Sequence, residues 1–176
     1  MQRRLFLSGV ITMSAVGVAG CSSSGDNDTS SDDGTQNTDS QSLVERAASE
    51  IILSNTAISS SLPGDWEFET TRPPEIEPVG LESIEIKQFL GETEADVLDY
   101  AVAVFDTVDN ASTFIDDTVD DSFSDENVGD EAYSTSNQNF TAVLVRERNM
   151  VLQITGSSHI SNLRTLGTAQ IEALSQ

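Results

Sequence analysis

The stretch Val97-Leu98-Asp99-Tyr100-Ala101-Val102-Ala103-Val104-Phe105 constrains the fold more than any other part of the chain. In an extended chain, Leu98, Tyr100, Val102 and Val104 fall on one side, and Ala101, Ala103 and Phe105 on the other. Successive strand residues point to opposite faces, so a strand that is apolar on both must be covered on both. The stretch therefore demands an interior place in a sheet. Leu81 to Phe89, alternating through Ile84 and Ile86, supplies a neighbouring strand.

The remaining elements arrange themselves around this pair. Ser42-Leu43-Val44-Glu45 fits a capping box, and Val44, Ala47, Ala48, Ile51 and Ile52 then share one helical face. Leu62-Pro63-Gly64-Asp65-Trp66 is a turn into a first strand around Trp66 to Glu69, and Pro73, Pro74 and Pro78 mark a loop. Asp109 is placed to cap a helix with Ala111, Phe114, Ile115 and Val119 inward and Asp116, Asp117, Asp120 and Asp121 outward. Strands follow near Ala132-Tyr133, from Phe140 to Glu147 and from Met150 to Thr155, the last two joined by a tight turn at Arg148-Asn149. A closing helix uses Ile160, Leu163, Gly167, Ile171 and Leu174. The order is α-β-β-β-α-β-β-β-α, which predicts an α+β domain: one antiparallel sheet of five to six strands with helices packed on it.

Upstream of residue 42 the grammar changes. Residues 1–20 run from a basic start through a short apolar stretch to small residues, the three parts of an export signal, and the apolar run is too short to span about 30 Å of hydrocarbon. Arg3-Arg4-Leu5-Phe6-Leu7 resembles the twin-arginine motif that directs folded proteins to export, with Gln2 where Ser or Thr is usual. Arg3, Arg4, Phe6 and Leu7 carry that resemblance. Val18-Ala19-Gly20-Cys21 resembles a lipobox, in which Val18, Ala19 and Gly20 present extended backbone to a peptidase and Cys21 takes the lipid. Two acyl chains hold a protein at a bilayer where one does not, so the expectation is an anchored protein at the extracellular face of the cell membrane. Residues 21–41 contain no aliphatic or aromatic side chain after Cys21 and read as an acidic disordered tether, leaving residues 42–176 as one domain.

Composition bears on solvent and on chemistry. After position 20 the chain carries 30 acidic and 6 basic residues, a formal charge of -24, when a small domain usually carries about 2–8 in magnitude. Lys87 is the only lysine. This balance resembles the proteins of salt-loving archaea, where twin-arginine export of lipoproteins is also common. One cysteine and one histidine exclude a disulfide framework and a Cys/His zinc site, and the charge excludes a phosphate-tracking nucleic-acid binder. The acid does not make a calcium loop: counted from Asp26, Ser31 stands where glycine is needed and Asn37 where a bidentate glutamate is needed. Counted from Asp121, Phe123 stands where an oxygen ligand belongs. The cluster from Asp116 to Glu131 is read as a solvated face, and no metal or cofactor is expected.

The element order, with Leu62-Pro63-Gly64-Asp65-Trp66, Val128-Gly129-Asp130-Glu131-Ala132, Val143-Leu144-Val145-Arg146 and Asn149-Met150-Val151, resembles the PsbP-like α/β/α sandwich. Actinobacterial lipoproteins of the LpqN kind and the extracytoplasmic sensor domains of some bacterial kinases are similar. The resemblance implies a fold and no catalytic residues. For catalysis the sequence offers His159, beside Ser157 and Ser158, as the base of a hydrolase; a loop histidine is the plainer reading. Trp66, Tyr100 and Tyr133 are read as packing at the sheet margin. Asn27, Asn110 and Asn139 head glycosylation triplets. The expectation is a non-enzymatic lipoprotein that binds a surface protein or a small ligand, the alternatives being a hydrolase using His159 and a solute-binding transport accessory.

Overall fold

The computed structural model describes residues 42–174 except 76, 94, 138, 139, 158 and 159. It is α+β, with one antiparallel sheet of seven strands in the order β1-β2-β3-β7-β6-β5-β4. In chain order the elements are α1 (Ala48–Ile51), α2 (Asn55–Ser61), β1 (Glu67–Arg72), β2 (Leu81–Leu90), β3 (Val97–Phe105), α3 (Val108–Thr118), β4 (Ser124–Glu126), β5 (Glu131–Ser136), β6 (Thr141–Glu147), β7 (Met150–Gly156) and α4 (Ile160–Leu174). The strand that had to be interior is interior, with β2 on one side and β7 on the other.

The two faces of the sheet are covered unequally. On the first, α1, α2 and α4 lie over Leu98, Tyr100, Val102 and Val104 of β3, Leu152 and Ile154 of β7, and Val143 and Val145 of β6. On the second, α3, with Val119 and Phe123 of the segment after it, covers a smaller cluster of Ala103, Phe105, Ala111, Ile115, Leu144 and Val151. Eleven helical residues reach about 16 Å, whereas the nine of β3 run about 30 Å.

Three expectations need correction. The sheet has seven strands rather than five to six, because Ser124–Glu126 adds an edge strand, β4. The N-terminal helix does not start from a capping box at Ser42. Val44 stays extended because the Asn149 carboxamide accepts from its N–H (2.7 Å) and donates to its carbonyl (3.1 Å). Helix begins only at Ala48, stops after Ile51, and resumes as α2 behind the Ser54 cap, whose hydroxyl accepts from Ala57 N–H. For α3 the cap is Thr107, not Asp109: its hydroxyl accepts from Asn110 N–H at 3.1 Å. Asp109 sits in the first turn, where a carboxylate suits the helix dipole.

The acidic run also divides differently from the expected amphipathic face. Asp116 and Asp117 are exposed on α3, but the helix ends at Thr118, and Asp120 and Asp121 fall in the following turn. There Asp120 accepts from the N–H and hydroxyl of Ser122, which hold its carboxyl below the usual range. Glu126 on β4 meets Arg164 of α4 and the hydroxyl of Ser134. Gly129 takes φ 65°, and its turn brings Asp130 and Glu131 onto Arg146, at 3.4 and 2.8 Å.

A buried amide ties the helices to the sheet. Gln170 of α4, fully buried, donates to Ile51 carbonyl and accepts from Leu53 N–H and from the Tyr100 hydroxyl (2.8 Å). Burial pushes the Tyr100 phenol far above the ordinary tyrosine range. Lys87 donates to Leu53 carbonyl, and burial lowers its pKa against the opposing pull of Glu85. Tyr100→Phe removes one bond while Gln170 Oε1 keeps Leu53 N–H, so stability in a denaturant titration at high salt should fall by about 1 kcal/mol.

Candidate functional site

Most residues nominated from sequence lie outside the described residues: Arg3, Arg4, Phe6, Leu7, Val18, Ala19, Gly20, Cys21, Asn27, Asn139 and His159. Asn110 is described, half-buried at the start of α3, and its amide donates to Asp106 at 2.7 Å. Ser157 is exposed, and its hydroxyl accepts from Val97 N–H. The three aromatic residues do not converge. Tyr100 is in the core at the middle of the sheet, not at its margin, and Trp66 donates to Pro63 carbonyl at the rim of the same layer. Tyr133 belongs to the opposite face, where its hydroxyl donates to Glu131, the main reason its pKa is raised.

Two shallow grooves indent the surface. One, of about 320 Å³, lies between residues 42–46, Arg148 and Leu174. There the Arg148 guanidinium donates to Ser42 carbonyl, and the residue holds φ 56° at the β6–β7 turn. The other, of about 430 Å³, lies between the proline loop and the start of β2, with Glu77 and Glu82 in its lining. Neither gathers a nucleophile, base and oxyanion donors.

A more unusual arrangement lies on the half of the second sheet face that α3 leaves open. Strand register aligns two rows of side chains across it. One row is Thr70, Gln88, Asp99, Thr155, Ala142 and Thr135; the next is Arg72, Ile86, Ala101, Gln153, Leu144 and Tyr133. Ala142, Leu144 and Thr135 are buried, so the open part of the rows lies on β1, β2, β3 and β7. Of the 25 acidic residues from position 42 onward, these rows hold one, Asp99. That carboxylate is already matched, with Arg72 Nη1 at 3.4 Å and Gln88 Nε2 at 2.9 Å. Acid returns at the β4 margin, where Asp125 and Asp116 act on Tyr133.

Two polar groups on this face are unspent. The hydroxyl of Thr155 is enclosed and makes no hydrogen bond, and two residues along the same strand face the half-buried carboxamide of Gln153 makes none among the described residues. Buried polar groups are nearly always paired, so such an atom calls for a reason. Among the described residues the other buried side-chain atom without a hydrogen bond, Arg148 Nε, faces Glu147 at 4.0 Å and is compensated by charge. Sequence reasoning missed Gln153 and Thr155, which it read only as part of the strand from Met150 to Thr155. The signal was that both polar residues of Met150 to Thr155 share one face, as Asp99 and Ala101 do on β3.

No family model matches the chain, and no curated protein matches it. Among solved structures, the extracellular domain of PknH from Mycobacterium tuberculosis is similar at 10% identity, over 77% of this chain and 99% of that chain, with a TM-score of 0.49.

Proposed function

We propose that this chain is a lipid-anchored, twin-arginine-exported lipoprotein of a salt-loving archaeon, displaying on an acidic tether a sandwich-like domain that binds a ligand without catalysis. The observation that carries the binding reading is the half of the second sheet face whose one carboxylate, Asp99, is matched by Arg72. Elsewhere the domain spreads carboxylates over its surface, as concentrated salt favours; on this face all but Asp99 are withheld, and two polar side chains on an interior strand are left unpartnered. A surface that departs from its own solvent adaptation at one place, with unspent hydrogen-bonding groups there, fits a recognition face. Anchoring rests on Cys21 and on the residues before it; among the described residues no helix is long and apolar enough to cross a membrane.

Cell fractionation tests the anchor. Cys21→Ser should move the protein from the membrane pellet to the medium, and persistence in the membrane at the wild-type level would reject lipid attachment at this residue.

A further inference from the structure

Resting on the binding reading above, we infer that the open half-face takes a neutral, hydroxyl-rich ligand of the saccharide class. The reasoning starts from charge. The one carboxylate of the two rows is satisfied by Arg72 and Gln88, so the face has no net charge to offer an ion. An anion meets the repulsion of a strongly negative protein, and a cation finds carboxylates everywhere else on it. In molar salt the screening length is about 3 Å, which weakens ionic recognition and leaves hydrogen bonding largely intact.

The groups present suit hydroxyls. Gln153 offers both a donor and an acceptor, and the Asp99–Gln88 pair a fixed acceptor edge; Ala101 and Ile86 beside them give an apolar floor for ring C–H groups. Neighbouring strands are about 5 Å apart and same-face residues about 7 Å apart along a strand, the scale of a single sugar ring. A neutral peptide is the competing occupant, but peptides that join sheets do so at an edge, where backbone groups are free. Here β3 and β7 are interior and paired on both sides, so only side chains are available. Ala101 matters because it is small: a larger residue there would occupy the floor.

The test uses the purified full chain in 3 M KCl, with the side-chain amide signals of Gln88 and Gln153 followed by NMR. The probes are glucose, galactose, mannose, N-acetylglucosamine and their disaccharides, with neutral tetra-alanine and Gly-Ser-Gly-Ser in parallel. At least one saccharide should shift the Gln153 amide saturably, Gln153→Ala should weaken that binding about tenfold, and Ala101→Leu should abolish it with the circular-dichroism spectrum unchanged. Gln153→Ala keeps the test decisive where Ala101→Leu fails to fold. Peptide-induced shifts without saccharide-induced ones would overturn the saccharide class and leave the binding face standing. Shifts from none of the probes, or saccharide binding indifferent to Gln153→Ala, would overturn the saccharide assignment; a response mapping to other residues would remove the face as well.

Discussion

Transferred from 3 M to 0.1 M KCl, the domain is expected to lose its ordered far-ultraviolet spectrum, or at least to drop its thermal midpoint by about 15 °C, the shift that several kcal/mol produces at this size. From position 42 onward 25 acidic residues face 6 basic ones. The bases do little to relieve the excess outside their own neighbourhoods: Arg146 sits between Asp130 and Glu131, Arg164 meets Glu126, Arg72 meets Asp99 and Glu75, and Lys87 is spent on a carbonyl. Two unit charges 10 Å apart in water repel by about 0.4 kcal/mol before screening. The screening length is about 10 Å at 0.1 M and about 3 Å at 1 M, so low salt restores many such pairs at once. Their sum reaches several kcal/mol against a total stability of roughly 5–15. A spectrum and midpoint unchanged between 0.1 and 3 M KCl would refute the halophilic reading of the charge.

The second large effect is expected at Asn149. Its side chain, 1% exposed, holds Val44 N–H, Val44 carbonyl and Phe105 carbonyl at 2.7, 3.1 and 2.5 Å. Asn149→Ala leaves three buried backbone groups without partners, and stranded groups of this kind cost about 1–3 kcal/mol each. With partial relief by water, a loss of about 3 kcal/mol should appear as a lower denaturant midpoint at constant salt. The amides of residues 42–46 should exchange faster in the variant, because the contact fastens them to the β6–β7 turn. A loss below about 1 kcal/mol would mean that this segment is held by its apolar contacts through Val44 instead.

The contact between Asn149 and Val44 also shows where sequence stops being informative. The β3 strand was readable because its alternation is local and complete, and Val97–Phe105 is its observed extent. The break in the N-terminal helix was not, since the group that keeps Val44 extended lies 105 residues away. Nor was β4, three polar residues whose strand conformation comes from pairing Ser124, Asp125 and Glu126 with Ser134, Tyr133 and Ala132. The charge was countable at once, yet its meaning depended on distribution: only cross-strand register and the length of α3 reveal that one half-face is nearly free of acid. Gln153 and Thr155 look unexceptional until Asp99, Ala101 and Ala142 are known to stand beside them.

The strand order carries a consequence for biogenesis. The middle of the sheet is β3 against β7, so the centre of the structure is completed by residues 150–156, near the end of the described chain. A nascent chain that has released β1, β2 and β3 from the ribosome exposes one flank of an apolar strand with nothing to pair it. Long-range pairing of this kind makes folding slow and leaves unpaired edges open to aggregation in the interval. Closure of the sheet therefore waits until residues 150–156 have been made, and until then a chaperone has an unprotected strand edge to bind.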